Sequence, residues 1–432
     1  MAASRCVSPL TPAAHTGQNR PVDLALTLVA IAATVILIAR LCEPIGVPAP
    51  LALLGVGVAA SYVPGLPEVS MSPEVVLFGL LPPLLYAAAL NTSLIDLRRL
   101  LTPILGLSVG LVLFTALGVA IVASWLLPIN FAVAFALGAI VAPPDAVAAT
   151  AVARSIGLPR GTTTVLEGES LLNDATALVS LRTAVAAAGL AVGAGHAGEV
   201  TTMSVALDFG RAVLGGLVVG WLVFLVVAAV RRHLTETAAD TALSFAVPFL
   251  AYVPAEKIHG SGVLAVVTAG LLLAHKAPVL QSASSRLSER INWASITFLL
   301  ENAVFLLIGL QMQSIIARVD ESELTLARGV GVGLVVLLVC LMLRPVWIFP
   351  FTLLAFRRQG GQSAEAAKVA AVSSWAGMRG VVTLAAALTL PEDTPRRPVL
   401  VLIALIVTVG TLLLQGFTLP ALARSLDVRG PD

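Results

Sequence analysis

The sequence predicts an all-α protein that crosses a membrane many times, and three observations support this. Of the 432 residues, 58% are hydrophobic and only 12% are charged, and the mean hydropathy is +0.98. A soluble domain of this length needs far more charge to cover its surface. Apolar runs long enough to span a bilayer recur along the chain, and the basic residues between them are unevenly distributed between alternate loops.

The apolar runs predict about thirteen transmembrane helices in one domain, residues 22–421. A disordered tail, 1–21, precedes the domain, and a short cytoplasmic tail, 422–432, follows it. A membrane helix needs roughly 20 mostly apolar residues. The predicted spans are 22–42, 49–64, 73–90, 101–127, 130–152, 162–190, 203–230, 237–254, 261–275, 291–312, 325–356, 366–389 and 398–421.

The basic residues predict the topology. With the N-terminus outside and the C-terminus in the cytoplasm, the inside loops hold 15 of the 26 Lys and Arg residues and the outside segments hold 7. This excess follows the positive-inside rule and predicts a multi-pass protein of the plasma membrane, surrounded by lipid. No run resembles a soluble nucleotide-binding domain, so ATP-driven transport is not expected, and the net charge of +2 gives no reason to expect nucleic acid as a partner.

Two predicted spans are interrupted by residues that disfavour a helix. The fifth carries Pro143 and Pro144 at mid-depth, and the twelfth carries Gly377, Arg379 and Gly380. Proline removes a backbone donor, and non-helical backbone inside a membrane is tolerated only in protein or next to water.

Broken helices at matching places in two halves favour a transporter built from inverted repeats, with its site near the midplane. The predicted repeats are residues 22–190 and 237–421, and the span at 203–230 links them. The alternative is two ordinary kinks.

Ionisable residues lie deep in three of these spans. Asp174 lies about 18 Å into the sixth span, and Asp145 and Arg379 lie at similar depths in the fifth and twelfth. An ionised side chain at the centre of a bilayer costs at least about 2.5–3.5 kcal/mol. We therefore expect these groups to be functional or paired with each other.

Helical spacing separates the acids of the sixth span. Glu167, Ser170 and Asp174 fall on one face, whereas Glu169 and Asn173 fall together on a face turned well away. Asp174 and Ser170 can therefore line one site, while Glu169 meets another neighbour.

The positions of three further acidic residues suggest a role for each. Glu169 is expected to form a structural ion pair with Arg379. Glu167 is shallower, and a structural role and a role in ion entry are equally open. Glu301, in the tenth span, is expected to be a structural partner or a pH-sensitive element.

The deep carboxylates suit exchange of a cation for a proton. Asp145 and Asp174 resist being ionised together in a site of low dielectric constant, so a proton competes with a cation there. Asp174, Ser170, the Pro144 carbonyl and water held by Asp145 would supply oxygen ligands to a monovalent cation. The scattered Cys and His residues show no metal-ligand spacing, so no cofactor is expected beside the transported ions.

Five sequence blocks, in order, resemble the monovalent cation:proton antiporters of the sodium/proton exchanger branch, especially its bacterial members. The resemblance covers essentially residues 22–421. The blocks are LLPPLLYAAALNTSL (80–94), APPDAVAAT (142–150), EGESLLNDATAL (167–178), ENAVFLLIGLQM (301–312) and WAGMRGVVTLAAAL (375–388).

The resemblance implies a role for each residue of the site. Asp174 would be the essential carboxylate that binds both ion and proton, and Ser170 would be a cation ligand. Asn173 beside Asp174 resembles the Asn-Asp pair of electroneutral one-for-one exchangers. Asp145 would act through water or balance helix dipoles, and Glu169 with Arg379 would be the structural ion pair.

The family's architecture is likewise implied only by resemblance. It would be thirteen spans with inverted repeats, whose broken helices cross near the midplane. A core bundle would move like an elevator against a dimerisation domain, so a homodimer is expected.

Two departures from the family pattern leave the preference among Na⁺, Li⁺ and K⁺ open. Relatives often have Thr-Asp-Pro where this chain has Pro144-Asp145-Ala146, so a hydroxyl is lost and a carbonyl is kept. Some relatives carry an acid where this chain has Ala87.

Three other classes of function compete with the antiporter. An intramembrane aspartyl protease using Asp145 and Asp174 would need motifs that are missing, so an enzyme is not expected. A channel would need repeated rings or a filter. The alternative kept open is an organic anion transporter coupled to Na⁺ or H⁺, with Arg379 as its binding residue.

Overall fold

Every secondary-structure element in the described part of the chain is a helix. The computed structural model describes residues 20–45, 48–64, 74–145, 160–190, 202–320, 325–358 and 363–426. Besides a one-turn 3₁₀ helix at Glu43–Ile45, sixteen helices lie in these ranges. They are α1 (Arg20–Cys42), α2 (Ala49–Ser61), α3 (Val75–Asn91), α4 (Leu94–Arg99), α5 (Leu101–Leu126), α6 (Phe131–Val141), α7 (Arg160–Ala187), α8 (Thr202–Arg231), α9 (Thr237–Lys257), α10 (Gly262–Leu280), α11 (Ala283–Leu310), α12 (Met312–Asp320), α13 (Leu326–Arg358), α14 (Ser363–Trp375), α15 (Val381–Leu388) and α16 (Arg397–Leu426).

The prediction of an all-α membrane protein is confirmed. Seven of the described helices are long and apolar enough to cross a membrane, and four more are shorter apolar helices. Each predicted span overlaps a described helix, and the twelfth overlaps the pair α14 and α15. The count of thirteen spans and the inverted repeats stay predictions.

Both ends of the described chain differ slightly from the predicted tails. Helix α1 begins at Arg20, inside the predicted N-terminal tail, and residues 1–19 lie outside the described residues. Helix α16 continues to Leu426, past the predicted start of the C-terminal tail at 422.

Local sequence explains where several helices begin. Asn130 precedes α6, and its side-chain oxygen accepts a hydrogen bond from the Val133 N–H at 2.8 Å. Ser261 accepts from the Leu264 N–H at the start of α10, and Ser282 caps α11 in the same way. Such caps satisfy N–H groups that the first helical turn leaves without a partner.

The helices pack mainly in two groups. In the first group, α11 packs on α2, and α10 packs on α3, α8 and α9. In the second group, α6 packs between α5 and α7, and α13 packs on α5, α14 and α16. The groups meet where α7 contacts α8 and α10, and where α15 contacts α11.

Helices α6, α14 and α15 place two non-helical segments in the second group. Helix α6 ends at Val141, and residues 142–145 are not helical. The rest of the predicted fifth span, including Ala146, lies outside the described residues. Helix α14 ends at Trp375, residues 376–380 are not helical, and α15 begins at Val381.

The first group depends on one close crossing of backbones. A Cβ atom added to Gly57 of α2 would lie 2.4 Å from the carbonyl oxygen of Leu306 and 2.9 Å from the Cα of Gly309, both in α11. Any side chain at Gly57 would therefore push the two helices apart.

We predict that Gly57→Ala lowers the free energy of unfolding by about 1–3 kcal/mol, the usual cost of overpacking. The matched control is Gly55→Ala on the same helix, because a Cβ there meets nothing within 4 Å. The measurement is the unfolding temperature of each purified variant in detergent. Equal unfolding temperatures for the two variants would contradict the prediction.

Candidate functional site

The two non-helical segments lie side by side in the second group of helices. The Asp145 N–H donates a hydrogen bond to the Met378 carbonyl at 2.6 Å. Helix α16 supports the second segment, because Thr411 Oγ1 accepts from the Arg379 N–H at 3.0 Å. The interrupted stretches thus satisfy part of each other's backbone hydrogen bonding inside the protein, as membrane depth demands.

Arg379 closes the C-terminal end of α6. Its Nε donates to the Val141 carbonyl at 3.0 Å, and a second guanidinium nitrogen donates to the Gly377 carbonyl. The side chain is buried. A cation is stabilised beside the unpaired carbonyls at a helix C-terminus, so Arg379 compensates the negative end of α6.

Asp145 takes the complementary position at the start of α15. A Cβ on Gly380 would lie 1.6 Å from Asp145 Oδ2, so the carboxylate touches the backbone immediately before α15 and only glycine fits there. A carboxylate is stabilised near a helix N-terminus. The positive and negative side chains of the two segments therefore match the ends of the helices they meet.

Asn173 ties α7 to the segment that follows α6. Its Nδ2 donates to the Pro144 carbonyl at 3.2 Å, and its side chain is fully buried. No hydrogen-bond partner for Asn173 Oδ1 is found among the described residues. A carbonyl oxygen has two lone pairs, so the Pro144 oxygen keeps one for another ligand.

Asp174 presents its carboxylate next to these segments. It is partly buried, and it makes no hydrogen bond or ion pair with another side chain in the part of the chain that the structure describes. It interacts electrostatically with Asp145. Ser170, one helical turn earlier on α7, is also partly buried. Asp145 and Asp174 thus lie within electrostatic range of each other, Ser170 lies on the same helix as Asp174, and their joint role as an ion site stays a prediction.

The expected ion pair between Glu169 and Arg379 is wrong. Arg344 of α13 holds Glu169 with two hydrogen bonds, from NH1 at 2.7 Å and from NH2 at 3.2 Å. Both side chains are buried, and Arg344 Nε also donates to the Ser373 carbonyl at 3.2 Å. The helical wheel correctly turned Glu169 away from Asp174, but the neighbour on that side is α13.

A signal for Arg344 was present in the sequence. It lies in the middle of the apolar run 325–356, far from Arg328 at the beginning of that run, and an unpaired cation is costly there. The sequence thus offers two intramembrane arginines, Arg344 and Arg379, as possible partners of Glu169. The pattern of apolar residues does not show which helix packs on which side of α7.

Two accessory acids have different outcomes. The side chain of Glu167 lies outside the described residues, although its backbone belongs to α7. Glu301 of α11 is partly buried and interacts electrostatically with Asp145. No hydrogen bond or ion pair joins it to another described residue, so the structure offers no structural partner for it. Ala87 is buried in α3 and supplies no ligand.

Comparison with known proteins bears directly on this arrangement. Residues 29–425 match the family described as "Sodium/hydrogen exchanger, transmembrane". The chain belongs to the sodium/hydrogen exchanger family. Its relatives include an uncharacterized Na⁺/H⁺ exchanger of Mycobacterium tuberculosis, 34% identical over 92% of this chain and 74% of the relative.

Two further relatives carry more detailed names. A sodium, potassium, lithium and rubidium/H⁺ antiporter of Bacillus pumilus is 30% identical over 88% of this chain and 58% of that protein. The Na⁺/H⁺ antiporter NhaH of Halobacillus dabanensis is 29% identical over 93% of this chain and 97% of the relative.

The fold of this exchanger is that of a solved antiporter. The sodium proton antiporter MjNhaP1 of Methanocaldococcus jannaschii matches with a TM-score of 0.74, over 94% of this chain and 99% of that one, at 19% identity. Membership of this family of membrane antiporters confirms the resemblance that the sequence blocks predicted. It also agrees with the expectation that the protein is a transporter and not an enzyme.

We predict that Arg344→Gln in this exchanger lowers the free energy of unfolding by about 3–5 kcal/mol, because it leaves the buried Glu169 carboxylate without its partner. The double variant Glu169→Gln/Arg344→Gln should recover part of the loss, because no uncompensated charge remains. The measurement is the unfolding temperature in detergent.

The control for this pair is Arg40→Gln. Arg40 pairs with Glu43 at the exposed end of α1, where the side chains are 79% and 67% exposed, so no measurable change is expected. Stronger coupling of Glu169→Gln with Arg379→Gln than with Arg344→Gln would contradict the assignment.

Proposed function

We propose that this exchanger moves Na⁺, Li⁺ or K⁺ in one direction and H⁺ in the other, with the two ions competing for Asp174. The observation that carries the proposal is the Asp174 carboxylate itself. It lies within α7 beside two non-helical segments, and no described side chain forms a hydrogen bond or an ion pair with it. A deep acid of this kind marks an ion pathway.

Oxygen ligands for a small cation surround this carboxylate. Ser170 lies one turn away on α7, and the Pro144 carbonyl is held in place by Asn173 with one lone pair to spare. Asp145 adds a second carboxylate, directly or through water. The name of the Bacillus pumilus relative supports a range of monovalent cations, and the loss of the family's hydroxyl at Pro144 supports weaker discrimination between them.

The proposed exchange is electroneutral, one cation for one proton. Asn173 occupies the position next to Asp174 as a neutral hydrogen-bond donor, and Glu169 is neutralised by Arg344. A single carboxylate that alternates between a cation and a proton moves the same charge in both directions. No net charge then crosses the membrane in a complete cycle.

Alternating access is proposed to arise from motion between the two groups of helices. The ion-binding residues and both non-helical segments belong to the second group, and α7 and α15 contact the first. We place the protein in the plasma membrane with the N-terminus outside. The inverted repeats and the homodimer are proposed from the family resemblance and the shared fold.

The organic anion alternative finds little support at Arg379. This residue is not bound to Glu169, but its guanidinium donates to the carbonyls of Val141 and Gly377 and is buried. Its donors therefore serve the ends of the interrupted helices, and a substrate anion would have to displace them.

We predict that Asp174→Asn abolishes cation-dependent proton flux, because an amide can neither ionise nor exchange a proton at this pH. Everted vesicles are acidified inside, and a dye sensitive to the pH difference reports its collapse when Na⁺, Li⁺ or K⁺ is added. Wild-type dequenching ranks the cations.

The control for this experiment is Glu43→Gln, which removes an exposed acid far from the site. It should keep wild-type activity at equal expression. Absence of any response of the wild type to all three cations would contradict the proposal and return Arg379 and organic anions to consideration.

We predict that the exchange rate does not depend on membrane potential. Proteoliposomes with equal K⁺ on both sides are supplied with a Na⁺ gradient, with and without valinomycin, which clamps the potential at zero. One uncompensated charge per cycle would feel about 2.3 kcal/mol per 100 mV, so an electrogenic exchanger would speed up on clamping. Acceleration by valinomycin would contradict the Asn173 argument.

A further inference from the structure

Glu301 is an intramembrane acid with no structural explanation. It lies within the 28-residue helix α11, which is long and apolar enough to cross a membrane. It is partly buried, and the described residues offer it no hydrogen bond or ion pair. Because a charged side chain at this depth costs several kcal/mol, such a residue is expected to serve a function with a nearby partner.

The packing of α11 shows what Glu301 faces. Helix α11 belongs to the first group of helices and contacts α15 of the second group. Helix α15 begins directly after Gly380, where the Asp145 carboxylate rests. Glu301 and Asp145 also interact electrostatically. Glu301 therefore lies on a helix of the first group that contacts α15, within electrostatic range of the carboxyl group that rests at the start of α15.

Two buried arginines of the second group are already committed to other partners. Arg344 is committed to Glu169, and Arg379 is committed to backbone carbonyls. Asp174 and Glu301 are both without an ion pair among the described residues. Among the described residues no cation is paired with these acids, so a transported cation could supply the balancing charge.

We propose that Glu301 is a further cation-binding residue. Its carboxylate, on helix α11 of the first group, would hold the transported cation together with Asp145 and Asp174 of the second group. This inference rests on the proposed exchange. It assigns Glu301 to the affinity for the cation and leaves Asp174 as the group that exchanges cation for proton.

The location of Glu301 on the first group gives it a specific effect. Asp145 and Asp174 move together with the second group, whereas Glu301 stays with α11. A cation held by carboxylates of both groups is bound tightly only in the arrangement that brings Glu301 close to Asp145 and Asp174. Loss of Glu301 should therefore weaken cation binding, while the exchange chemistry at Asp174 is preserved.

We predict that Glu301→Gln raises the KM for Na⁺ roughly tenfold, as expected for loss of one charge-assisted contact. The rate at saturating Na⁺ should stay within about twofold of the wild type. Glu301→Asp keeps the charge and should recover most of the affinity. The dye assay in proteoliposomes gives both constants, and stabilisation of the purified protein by Na⁺ against thermal unfolding gives an independent measure of binding.

Asn302→Ala is the matched control on the same helix. Asn302 is buried next to Glu301, and its side chain donates only within α11, to the Phe298 carbonyl at 2.8 Å. This variant should lower the unfolding temperature and leave the KM for Na⁺ unchanged.

Three outcomes would overturn the proposal. An unchanged KM in Glu301→Gln removes the cation-binding role. An equal rise of KM in Asn302→Ala shows that any disturbance of α11 has the same effect. If the wild type exchanges no cation and Na⁺ does not stabilise it, both the proposed function and this inference are wrong. If Asp174→Asn is inactive while Glu301→Gln has a normal KM for Na⁺, only this inference is wrong.

Discussion

The meeting of two non-helical segments inside the second group of helices is the constraint on which the site depends. Non-helical backbone is tolerated at membrane depth only if its polar groups are hydrogen-bonded within the protein or to water. Here the Asp145 N–H donates to the Met378 carbonyl, and Arg379 donates to the Val141 carbonyl at the end of α6. The Asp174 carboxylate lies beside these contacts, and we propose that it binds the transported ion there.

Much of the fold follows from the sequence because the membrane imposes simple rules. A run of about 20 apolar residues has few structures open to it other than a helix, and every predicted span overlaps a described helix. The tandem prolines at 143–144 and the glycines around Arg379 disfavour a helix for local reasons, and the described backbone is non-helical there. Depth along a helix and the face of a side chain are also local properties, which is why Asp174 and Ser170 were assigned together.

The pairing of Glu169 shows where sequence reasoning stops. The wheel predicts the direction in which Glu169 points, but its partner depends on which helix packs there. Arg344 and Arg379 are far apart in sequence and equally plausible as partners in charge and depth. Only the packing of α13 against α14 and α5 brings Arg344 to Glu169 and leaves Arg379 free to serve the end of α6. The identity of helix neighbours is a tertiary property that a single sequence does not carry.

The distribution of charge between the two groups of helices supports the proposed coupling of ion binding to motion. The second group carries a neutral pair, Glu169 with Arg344, and a cation and an anion, Arg379 and Asp145, placed at helix ends. Once these are balanced, Asp174 remains as an acid without an ion pair in the described part of that group, and we propose that a cation and a proton compete for its charge. In that proposal the Asp174 carboxylate is neutralised whichever of the two ions it holds. If the second group moves past α11 as we propose, an empty, ionised Asp174 would carry an uncompensated charge through the protein, and that cost would favour movement when an ion is bound.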